Sequence, residues 1–410
     1  MKTVTFLRWR GTFQTDMFLY LLGLVVFYYL YRWFREIPRV PDKGDKYVYI
    51  TGCDSGFGNL LARHLDELGF CVIASCFTEK GEEDLRKACS GRFTTLHLDV
   101  KKNESVDKAA ALIKDKVGAR GLWAVVNNAG VAMPSAPCDW LTIDDYKSML
   151  DVNLNGVIAV TLSVLPLIKK ARGRVVNVAS VFGRISPGGG PYTVSKYGVE
   201  AFNDSLRRNM VPFGVKVICI EPGFFKTTMT DWIVLGKSFK QLWEKMPQEV
   251  RDDYGPDYLD KVDMRMREKL AKMSDADLMK VVSCMEHAVS AVRPRTRYSP
   301  GWDAKLFWIP MSYMPTRVSG PTGILMGSPV STTFCPRTRP SVPSMAMHQP
   351  GLTTSNFQGI EDGWEALIKL DVNDGTDDRY DPSMGEGSSS SRCRVVSTCK
   401  SALTQNRMTE

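Results

Sequence analysis

The sequence predicts an α/β protein built on a doubly wound parallel sheet. Three observations predict it: short runs rich in valine and isoleucine recur along the chain, helical patterns alternate with them, and a glycine-rich turn follows the first run. Alternation of buried strands and helices is typical of a parallel sheet covered on both faces. The alternation extends over residues 46–318, which we expect to form one domain.

The predicted elements follow one another through short connections. Strands are predicted at residues 47–50, 71–76, 94–100, 123–127, 174–179 and 215–221, and the first helix at residues 59–68. In such a sheet, ligands bind outside the carboxyl ends of the strands. Polar residues that directly follow a strand are therefore the first candidates for a functional site.

An apolar segment, MFLYLLGLVVFYYLY at residues 17–31, precedes the domain and predicts a membrane-anchor helix over residues 17–34, after a separate N-terminal segment 1–16. As a helix the apolar run reaches about 22 Å, short of the ~30 Å hydrocarbon core unless Trp33, Phe34 and nearby arginines extend it. Spanning and interfacial insertion both remain open. Bulky aromatic residues stand where a signal peptidase needs small ones, which favours retention of the segment.

Basic residues flank this anchor on both sides. They are Lys2, Arg8 and Arg10 before it and Arg32, Arg35, Arg39, Lys43 and Lys46 after it. The excess after the anchor predicts a cytoplasmic position for the following domain.

The last part of the chain has a different composition. Residues 319–410 are rich in proline, serine, threonine and glycine, and only residues 364–370 show a short helical pattern. Such a segment lacks the apolar residues that a packed core requires. We expect this tail to be mostly disordered.

Composition excludes several classes of protein. The 410 residues carry a net charge of +8 that is spread along the chain among 45 acidic residues, so nucleic acid is not an expected partner. The ten cysteines contain no C-x-x-C pair, which indicates reduced thiols. The four histidines, His64, His97, His287 and His348, are too far apart in sequence to suggest a metal site.

The turn after the first strand reads TGCDSGFG at residues 51–58. Glycines between a strand and a helix permit a tight turn and let backbone amides approach a pyrophosphate at the positive end of the helix. The pattern predicts dinucleotide binding, although a plain glycine-rich turn would leave a similar trace.

Tyr192 and Lys196 stand four residues apart in a predicted helix after a glycine run. Residues at this spacing share a helix face, so the ammonium could lower the pKa of the phenol toward the range where it exchanges protons. Taken alone, the pair also fits an ordinary lysine that extends past a half-buried tyrosine.

Four motifs occur together and in order: TGxxxGxG at 51–58, NNAG at 127–130, Ser180, and Tyr192-x-x-x-Lys196. With them, residues 46–317 resemble the short-chain dehydrogenase/reductase family, which has a Rossmann-like fold. Within it the chain is similar to the microsomal retinol dehydrogenase and hydroxysteroid dehydrogenase branch. The stretches that carry this second likeness are ITGCDSGFGNLLAR, NNAGV, KYGVEAFNDSLRR and CMEHAVSAVRPRTRYSPGWDAKLFWIP.

The resemblance implies a catalytic role for four residues. Ser180 would bond the substrate oxygen, Tyr192 would take the alcohol proton, and Lys196 would lower the pKa of Tyr192 and reach the ribose of the cofactor. Asn153 would hold a water molecule in a proton relay. Alone, Ser180 or Asn153 would fit a capping or turn role equally well.

The resemblance also implies a set of cofactor contacts. They are Thr51, Gly52, Ser55, Gly56, Phe57, Gly58, Asp99, Asn127, Ala129, Gly130, Tyr192, Lys196, Pro222, Gly223 and Thr227. Asp99 and Asn127 would lie on the adenine side, and Thr227 would face the nicotinamide. Asp99 and Thr227 also fit ordinary strand-end or loop positions.

The choice of cofactor should depend on the end of the second strand, at residues 75–77. An acidic residue there would bind the ribose hydroxyls of NAD, and an arginine would accept the phosphate of NADP. Neither is present, Glu79 and Lys80 have opposite charges, and Ser55 in the glycine turn is neutral. Because no cation is placed to compensate a phosphate, NAD is predicted and NADP is disfavoured.

Residues 224–270 intersperse large apolar side chains with charges. The apolar ones are Phe225, Met229, Trp232, Phe239, Leu242, Trp243 and Met246. They predict either an apolar lid over a lipid-like alcohol or an amphipathic helix pair packed on the core.

The resulting prediction is a membrane-bound, NAD-dependent alcohol dehydrogenase of the endoplasmic reticulum. Its substrate would be a lipophilic alcohol, all-trans-retinol or a hydroxysteroid of the 3α or 17β type, and a homo-oligomer remains open. One alternative is an NADPH-dependent carbonyl or retinal reductase. Another is a catalytically silent, cofactor-binding membrane scaffold, against which the presence of Ser180, Tyr192 and Lys196 argues.

Overall fold

A computed structural model describes residues 2–188 and 190–319, with only the backbone described for 2–16, 316 and 318. Seven parallel strands form one sheet in the order β3-β2-β1-β4-β5-β6-β7. Their bounds are β1 Tyr47–Thr51, β2 Cys71–Cys76, β3 Thr94–His97, β4 Ala124–Asn127, β5 Arg174–Val178, β6 Lys216–Ile220 and β7 Arg297–Tyr298. The predicted doubly wound fold is confirmed.

Helices connect the strands and cover both faces of the sheet. They are α1 Lys2–Glu36, α2 Gly56–Glu67, α3 Glu79–Ala88, α4 Asn103–Val117, α5 Ile143–Leu150, α6 Gly156–Ala171, α7 Gly190–Met210, α8 Trp232–Lys245, α9 Gln248–Tyr254, α10 Tyr258–Met273, α11 Met279–Ser290, α12 Ile309–Ser312 and α13 Thr316–Ser319. A π-helical turn, Asp151–Asn155, joins α5 to α6, and a second one, Ala304–Trp308, precedes α12.

Alternating residues of each strand supply two separate cores. Val48 and Ile50 of β1 belong to one core with side chains of α2 and α11, whereas Tyr49 belongs to the other core with side chains of α4 and α6. All five residues of β1 are buried, as expected for a strand covered on both faces. The strand order reverses between β1 and β4, and such a switch point is where doubly wound folds bind ligands.

The structure corrects several predicted boundaries. The helix predicted at residues 59–68 is α2, and it starts at Gly56 instead of residue 59. The third strand ends at His97 instead of residue 100, because Asp99 begins a turn in which its carbonyl accepts from Lys102 N. The two-residue strand β7 is absent from the sequence prediction.

The apolar N-terminal segment forms part of one long helix. α1 is continuous from Lys2 to Glu36, so no helix end marks the predicted boundary at residue 17. Within the described residues, Met17–Glu36 and Ile143–Ala171 are long and apolar enough to cross a membrane. The second is 39% buried and belongs to the domain core, whereas the first is 0% buried. Of the predicted disordered tail, residues 320–410 lie outside the described part of the chain.

Candidate active site

The glycine turn lies against the end of β4 and leaves no room for side chains. Gly52 has a φ of +69°, and a Cβ atom there would lie 2.7 Å from the Cα of Ala129. A Cβ atom at Gly58 would collide with the Asn128 amide and the Gly52 carbonyl. Close approach therefore requires glycine at both positions, and at Gly52 the backbone conformation requires it as well.

Thr51 and Asn128 join the ends of β1 and β4 at the switch point. Thr51 Oγ1 accepts from the backbone N–H groups of Asn128 and Ala129, both at 3.1 Å. The Asn128 amide donates to the carbonyls of Thr51 at 3.1 Å and Gly52 at 2.9 Å. Asn128 was not among the predicted site residues, although its place in the NNAG motif was a signal for it.

The amino terminus of α2 opens toward the opposite side of the cleft. The side chain of Ser55 makes no capping hydrogen bond, and the first turn of α2 contains no acidic residue. A Cβ atom on Gly56 would lie 4.0 Å from the Cγ2 of Thr227, so these two residues face each other. An uncapped helix start of this kind suits a pyrophosphate.

The phenyl ring of Phe57 is directed away from the cleft. It packs edge-on against Phe225, with 5.8 Å between ring centroids, beside the core that contains Phe225. A cofactor contact at Phe57 would therefore use its main chain.

Ser180, Tyr192 and Lys196 meet at the carboxyl end of β5. Ser180 follows the strand and its Oγ accepts from Phe182 N at 3.2 Å. Tyr192 and Lys196 lie on α7, and Lys196 Nζ lies 5.7 Å from the centroid of the Tyr192 ring. Lys196 Nζ donates to the carbonyl of Val178 at 2.9 Å. The structure thus brings the three predicted catalytic residues together.

Burial is the largest influence on the pKa values of Tyr192 and Lys196. It raises the pKa of Tyr192, with Ser180 acting in the opposite direction. It lowers the pKa of Lys196 to about 8, against the attraction of Cys219 and Glu200. The predicted lowering of the Tyr192 pKa by Lys196 is not the result found, because burial raises that pKa and the Lys196 ammonium is hydrogen-bonded to the Val178 carbonyl.

Asn153 lies in the π-helical turn and is fully buried. Its Oδ1 accepts from Val131 N at 2.8 Å, while its amide donates to Val131 O at 2.8 Å and to Ser195 Oγ at 3.0 Å. A Cβ atom on Gly130 would lie 3.3 Å from Asn153 Oδ1 and 3.8 Å from Lys196 Nζ. Because both amide protons of Asn153 are already used, a relay water would have to be held by the main chain of the turn.

Two predicted cofactor residues use their side chains within the protein. Asn127 is 1% exposed, and its amide donates at 2.8 Å to both Thr161 Oγ1 and Asn177 Oδ1. Asp99 Oδ1 accepts from Lys101 N at 3.1 Å, and its other oxygen lies 3.6 Å from Lys102 Nζ. A cofactor contact at Asn127 would have to use its main chain, and the Asp99 side chain serves the turn after β3.

The Pro222–Gly223 turn on the opposite side of the cleft is held by a buried carboxylate. Pro222 O accepts from Val181 N at 3.1 Å, and Asp303 Oδ2 accepts from Phe224 N at 2.9 Å. Asp303 is 1% exposed, and burial raises its pKa. Sequence reasoning missed this residue, although it stands in the GWDAKLFWIP stretch that carried the family resemblance.

A cavity of about 540 Å³ begins at Ser180 and Tyr192. Its walls are mainly apolar and come from the strand ends and from α8 and α10. The large apolar residues among them are Phe182, Phe224, Met229, Trp232, Leu235, Phe239, Tyr258, Val262, Met266 and Leu270. The hydroxyls of Ser180 and Tyr192 thus lie at the edge of a space suited to a hydrophobic molecule.

Helices α8, α9 and α10 cover this cavity as a lid held by aromatic rings. The indole of Trp140 lies 4.8–5.6 Å, between centroids, from the rings of four lid residues, Phe239, Trp243, Tyr254 and Tyr258. The Tyr254 hydroxyl also donates to the Asp139 carboxylate at 2.7 Å. Both alternatives from the sequence apply, because α8 and α10 line the cavity and the rings of the lid also pack on Trp140 of the domain. Phe225 is an exception, since it belongs to the sheet core.

Comparison with known proteins adds independent findings. Residues 46–236 match the family model described as short chain dehydrogenase. Retinol dehydrogenase 7 of Rattus norvegicus is 55% identical over 303 residues, which cover 74% of this chain and 95% of that protein. For 17-beta-hydroxysteroid dehydrogenase type 6 of Homo sapiens the identity is 52% over the same shares of both chains.

Solved structures of other proteins are similar in fold to this chain. A short-chain dehydrogenase from Streptomyces avermitilis superimposes with a TM-score of 0.52 at 25% identity, covering 65% of this chain and 92% of that one.

Proposed function

The chain belongs to the short-chain dehydrogenase family, and we propose that it is a membrane-bound oxidoreductase that transfers hydride between NAD(H) and a hydrophobic alcohol. The alcohol is a retinol or a hydroxysteroid of the 3α or 17β type. Retinol and 17-beta-hydroxysteroids appear in the names of the relatives, which match this chain over nearly their whole length.

The apolar cavity at Ser180 and Tyr192 is the observation that carries this proposal. Its volume of about 540 Å³ lies in the range that small-molecule sites commonly have. Apolar walls would exclude water and hold a lipid-like body, while the two hydroxyls at one edge would meet its single polar group. A small hydrophilic alcohol would leave these walls unfilled.

The residues around the cavity suit alcohol oxidation. When bound, the nicotinamide cofactor accepts the hydride from the carbinol carbon. Ser180 donates a hydrogen bond to the substrate oxygen, and Tyr192, once its phenol has lost its proton, takes the hydroxyl proton as the carbonyl forms. Lys196, charged below a pKa of about 8, supplies the cation on the same helix face. The reverse reaction returns the proton from Tyr192.

The glycine turn and the start of α2 fit the diphosphate of a dinucleotide. Side chains at Gly52 or Gly58 would collide with Ala129 or Asn128 and so displace the turn that presents its backbone amides. The remaining main-chain contacts would come from the residues predicted at this edge, Thr51, Ser55, Gly56, Phe57, Ala129 and Gly130, and across the cleft from Pro222, Gly223 and Thr227. NAD is the proposed cofactor.

The apolar part of α1 supports the proposed location, the membrane of the endoplasmic reticulum. Residues 17–31 are exposed along an apolar helix, and the C-terminal end of this helix is tied to the domain. Glu36 pairs with Arg295, and the Glu36 carbonyl lies 3.0 Å from His287 Nε2. An enzyme held this way would meet substrates that partition into lipid.

A turnover panel on microsomes carrying the full chain tests the proposal. Retinol, androstanediol and hydroxybutyrate would each be offered with NAD and with NADP. We expect oxidation of retinol or androstanediol with NAD and none of hydroxybutyrate. Preference for hydroxybutyrate would contradict the lipophilic substrate, and a preference for NADP would contradict the cofactor assignment.

One observation favours the reverse direction as a second candidate. The raised pKa of Tyr192 keeps the phenol protonated, which is the form that donates a proton to a carbonyl during reduction. An NADPH-dependent carbonyl or retinal reductase would use the same residues. Adding retinal with NADPH to the panel separates the two candidates.

A further inference from the structure

The carboxylate of Asp54 joins the glycine turn to the end of β2. Its Oδ2 accepts from Phe77 N at 2.9 Å. Its Oδ1 accepts from Thr78 N at 2.9 Å and from Thr78 Oγ1 at 2.6 Å. Three donors from the segment between β2 and α3 therefore converge on one acidic side chain that stands 23 and 24 residues earlier in the chain.

The start of α3 fixes this carboxylate in place. Thr78 is the N-cap of α3, and its Oγ1 accepts from Gly81 N at 3.1 Å while it donates to Asp54. A Cβ atom on Gly81 would lie 2.8 Å from Asp54 Oδ1. The acidic group is thus enclosed by main chain on the helix side, and its position does not depend on a flexible loop.

This location is where doubly wound folds distinguish the two nicotinamide cofactors. The end of the second strand, beside the glycine turn, meets the adenosine ribose, whose 2′ position carries a hydroxyl in NAD and a phosphate in NADP. Strand β2 itself ends without a charged residue. Lys80, the basic residue that follows this strand, has its Nζ 3.6 Å from Asp84 one helical turn away, so its charge is paired within α3.

We propose that Asp54 makes this protein select NAD(H) over NADP(H), an inference that rests on the proposed function. Its negative charge repels a 2′-phosphate. It also occupies the N–H groups of Phe77 and Thr78, which would otherwise be donors for that phosphate. A carboxylate accepts about four hydrogen bonds, and three are used, so one acceptor site is left for a ribose hydroxyl. The glycine turn thereby supplies the acidic group that the strand end lacks.

Cofactor binding to the full-length protein in detergent micelles tests this assignment. The dissociation constants of NADH and NADPH would be measured by nicotinamide fluorescence for wild type and for Asp54→Asn. Asparagine keeps an acceptor for the loop and removes the charge. We expect NADPH to bind at least about tenfold tighter to the variant, because one repulsive charge is gone, while NADH affinity changes by less than about threefold.

Glu79→Gln is the matched control, since it removes an equal charge from the first residue of α3. It should leave the ratio of the two constants within about twofold. The inference is wrong if Asp54→Asn leaves that ratio unchanged, if Glu79→Gln shifts it as much, or if Asp54→Asn weakens both cofactors equally, which would indicate a structural role only. Thr78→Val, which removes the hydroxyl that donates to Asp54 and accepts from Gly81 N but keeps the Asp54 charge, should retain the preference for NADH even if the melting temperature falls.

The wild-type measurement separates the two levels of the proposal. A wild-type protein that binds NADPH as tightly as NADH would contradict the NAD assignment itself. Preference for NADH in wild type together with an unchanged ratio in Asp54→Asn would contradict only the role of Asp54.

Discussion

The two sides of the cleft consist of different kinds of residue. The cofactor side, which we define as residues 51–58 with 127–130, consists of glycines and of polar groups bonded to main chain. The substrate side, α8 to α10 with Trp140, consists of large rings in contact with one another. The first side presents backbone to a ligand part that all nicotinamide cofactors share. The second presents side chains, which can vary with the substrate.

Because of this difference, the two sides tolerate different substitutions. On the cofactor side an added methyl group meets main chain that cannot move without separating β1 from β4. On the substrate side a lost ring leaves a space that neighbouring rings can partly fill. Substitutions that add atoms at the tightly packed glycines of the first side should therefore weaken cofactor binding strongly, and those that remove rings from the second should alter substrate affinity by degrees.

Tyr192→Phe, placed where the two sides meet, should have the largest effect. It removes only the ionisable oxygen, so kcat for alcohol oxidation should fall by about 10²–10⁴-fold. The dissociation constant of NADH should change little, because the ring and the main chain stay in place. Steady-state kinetics together with fluorescence titration checks both values. Retention of more than about a tenth of wild-type kcat would remove Tyr192 from its role as acid and base.

Gly58→Ala tests the cofactor side. The new Cβ atom would meet the Asn128 amide and the Gly52 carbonyl, so we expect NADH affinity to fall at least about tenfold, or about 1.4 kcal/mol. Gly91→Ala is the control, because a Cβ atom at Gly91 would have no neighbour within 4 Å. Equal affinities in the two variants would show that the close approach at Gly58 does not matter for binding.

Trp140→Ala tests the substrate side. Loss of the ring that contacts four lid residues should loosen the lid and raise KM for retinol or androstanediol by roughly tenfold, with NADH affinity unchanged. Trp302→Ala removes an indole that is 56% exposed and should leave KM unaltered. If Trp140→Ala weakened cofactor and substrate alike, the two sides would not be independent.

The smallest expected effect is on stability, and it concerns Lys196→Met, a variant that also removes the proposed catalytic cation. Burial lowers the pKa of Lys196 to about 8, against about 10.4 for an unfolded lysine. Between these values the unfolded state binds more protons, so the free energy of unfolding should rise with pH, by at most about 1.4 kcal/mol per pH unit from this group. Urea unfolding from pH 8 to 10 should show a smaller rise in the methionine variant. Identical slopes would contradict a buried, perturbed lysine.

The sequence predicted the parts of this molecule that depend on local patterns. The strands and the glycine turn could be identified because hydrophobic runs and glycine spacing are short-range signals. Strand β7, Arg297–Tyr298, is too short to show a period. The π-helical turn around Asn153 has a helical sequence pattern like its neighbours, so its altered hydrogen bonding could not be foreseen.

Contacts between distant segments were also beyond sequence reasoning. Asp54 stands in a motif that was correctly interpreted, yet its partners Phe77 and Thr78 come from the next strand end. Trp140 contacts Tyr254 and Tyr258, more than a hundred residues further along the chain. The position of a side chain within a motif was predictable, whereas the direction in which it bonds, as for Asn127, depends on the folded neighbours.

Deuterium transfer tests most directly whether this protein moves hydride from a lipophilic alcohol to NAD. Full-length protein in microsomes would be incubated with NAD and either retinol deuterated at its carbinol carbon or androstanediol deuterated at its carbinol carbons, and the cofactor analysed by mass spectrometry. We expect each NADH formed by wild type to carry one deuterium, with an equal amount of carbonyl product. For Tyr192→Phe we expect deuterium transfer at no more than about a hundredth of the wild-type rate. Cofactor binding without deuterium transfer from either alcohol would contradict the account and indicate a silent scaffold.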